Sequence, residues 1–290
     1  MRKSPSLTAM VVAACRAVTG TDRVAPALLP VPVGSLLRAA ERGVASSSVL
    51  SQTVRLLSGG LVDHVMLRTL AIDAVVARAV HEGARQLVVL GAGLDARAWR
   101  MNELADVDVF EIDHPSTHAY KRDKTSGSRA RAKTVHFVGV DFEKHDPDAR
   151  LASAGHRSDV PTMWIWEGVT PYLTQTAIAS TLVVIASRSS EKSVLAMTYA
   201  TADLMGVGRR ARAVIGTAFH AIGEPLFGLM TSEDAAAQAR KHGFVVTSDS
   251  SSSDWARAVA RPVPMIAVAE RLLVAQRATE APEKSGRGPS

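Results

Sequence analysis

Short apolar segments alternate with helical stretches along most of this 290-residue chain. The segment 86–90 (Gln-Leu-Val-Val-Leu) is apolar after its first residue and stops at Gly91-Ala92-Gly93. Such a run is typical of a strand that is buried on both faces, as in a parallel sheet. Similar segments follow at 108–113, 135–140, 161–166 and 193–198, separated by helical stretches at about 114–129, 147–154 and 174–189. This alternation predicts a doubly wound α/β domain with a mostly parallel sheet.

Two more strands complete a predicted seven-stranded sheet. A helix over 233–242 leads through Gly243 to a strand at 244–247, and the apolar run 264–269 predicts the last strand. Before the first strand, the apolar spacing of residues 61–82 is that of a helix. Trp164 and Trp166 are expected in the core, on opposite faces of the fourth strand.

The domain organisation follows from breaks in this pattern. Residues 1–60 are predicted to form a helical N-terminal cap that is interrupted by prolines, and residues 61–278 the main domain. A glycine-rich stretch at about 200–232 does not fit the alternation and is predicted to be a lid insertion after the fifth strand. The Pro-, Gly- and Ser-containing residues 279–290 are predicted to be a disordered tail.

Composition excludes several classes of protein. The net charge of +6 is small for this length, aromatic residues make up 4%, and the basic residues are scattered, which disfavours a nucleic-acid-binding module. A single cysteine, Cys15, cannot form a disulfide framework or a thiolate zinc site. No run reaches the ~18 apolar residues that span a bilayer. We therefore expect a cytoplasmic protein without a membrane or nucleic-acid partner.

Acidic residues follow the ends of four predicted strands. In open parallel sheets, ligands bind outside the carboxyl ends of the strands. Each carboxylate alone could serve as an ordinary helix N-cap, but their succession predicts a ring of negative charge around a ligand. The residues concerned are Asp95, Glu111, Asp113, Asp141 and Glu167.

The glycine turn is compatible with two nucleotide ligands. Gly91 and Gly93 would allow close backbone approach, and Asp113 follows Gly93 by 20 residues, the spacing that places a carboxylate on ribose hydroxyls. Both features suit NAD, although the third glycine of that motif is replaced by Ala96. A pyrophosphate would be repelled by the carboxylates, whereas S-adenosylmethionine has no phosphate and carries a sulfonium cation. Arg68, on the helix before the first strand, could then bind its carboxylate.

Several motifs in order resemble the leucine carboxyl methyltransferase family and its bacterial relatives, which are S-adenosylmethionine-dependent O-methyltransferases. The motifs are Arg-Thr at 68–69, Val-Leu-Gly-Ala-Gly-Leu-Asp-Ala-Arg at 89–97, Glu-Ile-Asp-His-Pro at 111–115, Tyr-Lys-Arg at 120–122, Val-Asp-Phe at 140–142 and Trp-Glu-Gly-Val-Thr-Pro-Tyr at 166–172. Residues 8–9, 16–17, 223–228 and 239–244 extend the resemblance over nearly the whole chain. The sequence departs from the family pattern at Ala96, at His114 and over residues 200–220. Because of the last departure, the resemblance does not identify the substrate.

The resemblance implies a role for each cofactor-binding residue. Arg68 would hold the methionine carboxylate of S-adenosylmethionine, and Glu167 its ammonium group. Gly91, Ala92 and Gly93 would pass under the methionine moiety, and Asp113 would bind the ribose hydroxyls. Asp141 and the backbone amide of Phe142 would bind the adenine.

The methyl acceptor is not identified by the sequence. A carboxylate, with a pKa of about 4, needs no general base at neutral pH, whereas a phenol, with a pKa of about 10, would benefit from one. His220 in the predicted lid is a candidate base or an exposed loop residue, and Tyr172 either lines the acceptor pocket or packs in the core. His114 and His118 are four residues apart but lack a metal-binding motif, so no metal is expected.

Three functions remain open at this point. The first is an O-methyltransferase that acts on a carboxylate or phenolic hydroxyl of a small metabolite, a natural product or a peptide. The second is an NAD-dependent dehydrogenase, and the third is a non-catalytic cofactor-binding protein of the same fold.

Overall fold

The computed structural model describes residues 5–35, 60–141, 145–201, 227–264 and 270–278. The strands are β1 (Gln86–Leu90), β2 (Asp108–Asp113), β3 (Thr134–Gly139), β4 (Thr162–Trp166), β5 (Val194–Ala200), β6 (Phe244–Ser251) and β7 (Glu270–Arg277). The helices are α1 (Leu7–Val18), α2 (Ala25–Leu28), α3 (Leu61–His81), α4 (Arg97–Arg100), α5 (Pro115–Thr125), α6 (Pro147–Ser153), α7 (Gln175–Ser187), α8 (Ser232–Lys241) and α9 (Ser252–Ala258).

The strands form one seven-stranded sheet in the order β3-β2-β1-β4-β5-β7-β6. The first five strands pair in parallel, and β7 lies antiparallel between β5 and β6. All residues of β1 and β4 are buried, as their apolar runs predict for central strands of a parallel sheet. The predicted doubly wound α/β fold with seven mostly parallel strands is therefore confirmed.

The last strand that the structure describes begins later than the predicted strand at 264–269. Pro264 lies outside any strand, residues 265–269 fall outside the described part of the chain, and β7 begins at Glu270. The apolar centre of β7 is only four residues long, because charged or polar residues occupy both of its ends. A strand that begins and ends with charged or polar residues gives no long apolar run by which the sequence could reveal it. Pro264, in the predicted strand, has no amide hydrogen to donate to a neighbouring strand.

The two faces of the sheet carry separate apolar cores. Leu87 and Val89 of β1 belong to the core on one face, and Val88 and Leu90 to the core on the other. Trp164 and Trp166 are both buried in the second core, so the expectation that they lie on opposite faces is wrong. Side chains of a strand repeat their direction every two residues, which places residues 164 and 166 on the same face.

The N-terminal helices pack over the turn that follows β1. Ala13 of α1 and Leu28 of α2 share an apolar cluster with Leu94 and Ala96 of the segment after β1. A methyl group added to Gly93 would lie 3.3 Å from the Cβ of Ala9. These helices therefore cover the sheet edge at which the parallel strands end.

The remaining predictions about domain organisation stay predictions. Residues 36–59 of the predicted cap, residues 202–226 of the predicted lid and the predicted tail at 279–290 lie outside the described residues. Among the helices that the structure does describe, none is long and apolar enough to cross a membrane.

Candidate cofactor site

The glycine turn after β1 has a backbone conformation that favours glycine at two positions. Gly91 has a φ of +65° and Gly93 a φ of +48°, both in the left-handed region. A Cβ on Gly91 would lie 2.5 Å from Cγ2 of Val169, so there is no space for a side chain. The turn thus passes close to Val169, in the segment that follows β4.

Asp113, at the end of β2, is bonded to this turn. Its Oδ2 accepts a hydrogen bond of 2.6 Å from the Gly93 amide, and its Oδ1 accepts one of 2.6 Å from the His114 amide. Both donors are backbone amides, and the side chain is half-buried. Each carboxylate oxygen keeps further acceptor capacity for a diol.

Glu167, directly after β4, is surrounded by arginines. It accepts hydrogen bonds from Arg16 (2.6 Å), Arg68 (2.9 Å) and Arg97 (2.9 Å), and all four side chains are buried. Burial opposes ionisation of Glu167, but the three guanidinium charges outweigh it and lower its pKa well below the usual value. Glu167 is therefore a stable anion at the centre of the cluster.

Arg68, on α3, contacts two carboxylates with different nitrogens. Its Nε donates to Glu167, and its Nη1 donates to Oε2 of Glu270 over 2.7 Å. Within the described part of the chain, Nη2 forms no hydrogen bond. Although burial disfavours the charge, the carboxylates of Glu270 and Glu167 raise the pKa of Arg68 above its usual value.

Sequence reasoning missed Glu270 and His64. Glu270 is the first residue of β7 and pairs with Ala200, the last residue of β5. Because β7 is antiparallel, its first residue reaches the edge at which the parallel strands end. His64 of α3 donates through Nε2 to Glu270 over 2.7 Å. No motif marked either residue, and the misplaced last strand concealed the position of Glu270.

The predicted ring of carboxylates is present at this edge, but it is largely neutralised. Asp95 forms ion pairs with Arg97 and, at 3.9 Å, with Arg16. Asp73 pairs with Arg97 at 2.8 Å and with Arg100 at 2.7 Å. Asp95 and Glu167 therefore add less negative charge to this edge than an unpaired ring would, because buried cations balance them. The role of Glu167 toward a ligand stays a prediction.

Glu111 is unavailable to a ligand. It is fully buried on β2, where it accepts a hydrogen bond of 2.6 Å from the equally buried Lys121. Burial raises the pKa of Glu111 to about 7, although the charge of Lys121 lowers it. The pair belongs to the interior between β2 and α5.

The other predicted site residues lie at the same edge or outside the described residues. Asp141 follows β3, and its backbone amide donates to Nδ1 of His145 over 3.0 Å. Tyr172 ends a short 3₁₀ turn after β4 and is half-buried. Phe142 and His220 are outside the described part of the chain. The structure thus brings together Arg68, the glycine turn with Ala92, Asp113, Asp141 and Glu167.

No group of three metal-binding side chains occurs among the described residues. His118 packs edge-on against Phe137, and His114 contacts the hydroxyl of Ser116. The two histidines therefore have contacts within the fold.

Comparison with known proteins places the chain in a family. The family profile "Leucine carboxyl methyltransferase" matches residues 9–186. A Mycobacterium marinum protein, provisionally named an S-adenosyl-L-methionine-dependent methyltransferase, is 35% identical over 207 residues, which are 70% of this chain and 66% of the relative. A Mycobacterium bovis protein with the same provisional name is 33% identical over 213 residues, 72% of this chain and 67% of the relative.

A solved structure has the same architecture. A Thermobifida fusca protein, provisionally named a methyltransferase, superposes with a TM-score of 0.59 over 96% of both chains at 16% sequence identity. This similarity shows a shared fold. The family profile covers more than half of the chain, and the protein therefore belongs to the leucine carboxyl methyltransferase family.

Proposed function

We propose that the protein is an S-adenosylmethionine-dependent methyltransferase that acts on an oxygen acceptor. The observation that carries the proposal is the pairing of Arg68 with Glu167 at 2.9 Å, at the sheet edge that also holds the glycine turn. A guanidinium and a carboxylate side by side are complementary to the carboxylate and ammonium groups of an α-amino acid. The relatives with provisional S-adenosyl-L-methionine-dependent methyltransferase names support the same cofactor.

The residues present fit this cofactor. Asp113 provides an acceptor pair for a ribose diol, and the Gly91–Gly93 turn offers backbone with no side chain larger than the buried methyl group of Ala92. Nη2 of Arg68 is an open donor for a carboxylate, as far as the described residues show. Asp141 and Phe142 would receive the adenine, as the family resemblance implies.

The charge pattern also bears on NAD. Asp113 suits either nucleotide, because a carboxylate at this place binds ribose hydroxyls in dinucleotide folds as well. The arginine-paired Asp95 and Glu167 contribute less repulsion than an unpaired ring would. The preference for S-adenosylmethionine over NAD therefore rests mainly on the family membership.

In this mechanism the protein acts by binding and orientation. S-adenosylmethionine supplies an electrophilic methyl group on a sulfonium sulfur. Arg68 and Glu167 fix the amino-acid end, Asp113 fixes the ribose, and α1 and α2 help to exclude water from the sheet edge. Alignment of an acceptor oxygen with the methyl group in a site cleared of water is the main source of rate enhancement for such a displacement.

A carboxylate of a small metabolite, a natural product or a peptide is the first acceptor class to test. A carboxylate is ionised at neutral pH and needs no general base, and the family description names a carboxyl acceptor. For a phenolic hydroxyl, His220 is the proposed base and Tyr172 a proposed pocket residue.

The test is methyl transfer from isotopically labelled S-adenosylmethionine to a panel of carboxylic acids and phenols. Label released as methanol by mild alkali identifies a methyl ester, whereas alkali-stable label identifies an aryl ether. D113A, which is expected to lose cofactor binding, serves as the negative control. Cofactor binding without transfer to any acceptor would instead favour a non-catalytic protein, and preferential binding of NAD would favour a dehydrogenase.

A further inference from the structure

The guanidinium of Arg68 is fixed on the side of Nη1 by Glu270. The Nη1–Oε2 distance is 2.7 Å, and both side chains are only 8% exposed. With Nε bonded to Glu167, two of the three guanidinium nitrogens have carboxylate partners. Because the guanidinium is planar, two such bonds fix the direction in which Nη2 points.

Glu270 is itself fixed by His64. Nε2 of His64 lies 2.7 Å from Oε2 of Glu270, the same oxygen that accepts from Arg68. Since a carboxylate can only accept, Nε2 carries the hydrogen. The imidazole is 1% exposed and packs against the ring of Trp255, with 5.7 Å between centroids. His64 and Arg68 are one helical turn apart on α3, so they contact Glu270 from adjacent positions on one face.

The electrostatic environment keeps Glu270 charged. Burial opposes its ionisation, but the charge of Arg68 and the hydrogen bond from His64 outweigh that effect and lower its pKa to about 2. The carboxylate is therefore available as an acceptor throughout the neutral pH range.

We propose that Glu270, supported by His64, is a positioning residue that directs Nη2 of Arg68 toward the carboxylate of the cofactor. This inference rests on the proposed function. Without Glu270, a long arginine side chain would keep only its contact with Glu167 and could rotate about it. The expected consequence is weaker binding of the amino-acid end of the cofactor, with no effect on binding of the nucleoside end.

The experiment compares two ligands that differ at that end. S-adenosylhomocysteine carries the carboxylate and the ammonium, whereas 5′-methylthioadenosine lacks both. Calorimetric titrations of the full chain are made for wild type, E270Q, H64A and the control D249N. Asp249 also forms an ion pair with a residue of β7, Arg271, at 3.0 Å, but it does not contact Arg68.

We expect E270Q to lower the affinity for S-adenosylhomocysteine by about 10- to 100-fold, the effect of one hydrogen bond between charged groups. H64A should lower it by a smaller factor. The affinity of both variants for 5′-methylthioadenosine, and of D249N for both ligands, should stay within about twofold of wild type.

Equal loss of both ligands in E270Q would show a merely structural role and overturn the proposal, as would unchanged affinity for S-adenosylhomocysteine. If E270Q does not fold, H64A decides by the same comparison of the two ligands. Failure of wild type to bind either ligand would overturn the proposed function itself, which is a distinguishable result.

Discussion

The carboxylate of Asp113 and the backbone amide of Gly93 are joined by a hydrogen bond of 2.6 Å. The bond links the end of β2 to the turn after β1, which are neighbours because these strands pair in parallel. A turn with two glycines in the left-handed region needs such a constraint to keep one conformation. Asp113 therefore has two roles, as an anchor of the turn and as the proposed acceptor for the ribose hydroxyls.

Replacement of Asp113 by alanine should abolish binding of S-adenosylhomocysteine and of 5′-methylthioadenosine in calorimetry. Both ligands carry the ribose, so their affinities should fall together, by about 100-fold or more for two lost hydrogen bonds to a charged group. D108N is the matched control, because Asp108 lies at the opposite end of β2 and pairs with the exposed Lys133. Retention of tight binding by D113A would contradict the assignment.

Replacement of Arg16 by alanine should destabilise the protein. Arg16 of α1 donates to Thr69 of α3 and to Glu167, and its removal leaves part of a buried anion uncompensated. We expect a loss of about 3 kcal/mol in the free energy of unfolding, measured with urea. R157A, which removes an exposed ion pair with Asp159, should change the stability little. Equal effects of both substitutions would show that α1 is not held by this contact.

A methyl group at position 91 should be poorly tolerated. Gly91 combines a φ of +65° with a contact that a Cβ would make at 2.5 Å to Val169. G91A should therefore lose about 2 kcal/mol or more, from backbone strain and overpacking together. The control is G155A, because Gly155 has a φ of +93° but no atom within 4 Å of an added Cβ. The double variant G91A/V169A should regain the part of the stability that G91A loses through overpacking. If it regains none, the contact between position 91 and Val169 is contradicted.

Stability should depend on the ionisation of Glu270 at acidic pH. Its pKa is lowered from 4.5 to about 2 in the folded protein. Between these values the unfolded chain binds a proton that the folded chain does not, so the contribution is complete above about pH 4.5 and is lost as the pH falls toward 2. The shift corresponds to about 3 kcal/mol.

Urea denaturation of wild type and E270Q between pH 6 and pH 3 tests this expectation. The difference in their free energies of unfolding should be largest at pH 6 and should decrease as the pH falls. A difference that is constant over this range would show that the charge of Glu270 does not stabilise the fold.

The part of the site that directly follows apolar strands was predictable from the sequence. The continuous run of β1 and the 20-residue spacing to Asp113 are local patterns: β1 forms as predicted, and Asp113 lies beside the glycine turn. The ion pairs were not predictable, because Glu270 meets Arg68 across 202 residues. A charged residue at the start of an antiparallel strand looks like a loop residue in the sequence, and only the pairing of β7 with β5 brings it to the site.

The net charge of the site could not be predicted from the sequence either. Acidic residues at successive strand ends were visible in the sequence, but their arginine partners lie on α1, α3 and α4. Which of the carboxylates remain free for a ligand depends on packing between these helices and the sheet. Asp113 accepts from backbone amides alone among the described residues, and its role toward ribose stays a prediction, whereas Glu111 is buried with Lys121.

Calorimetric titration of the unmodified full chain with S-adenosylhomocysteine, and separately with NAD, tests the account most directly. We expect saturable binding of S-adenosylhomocysteine at one site per chain and no detectable heat with NAD. Saturable binding of NAD, together with none of S-adenosylhomocysteine, would contradict it.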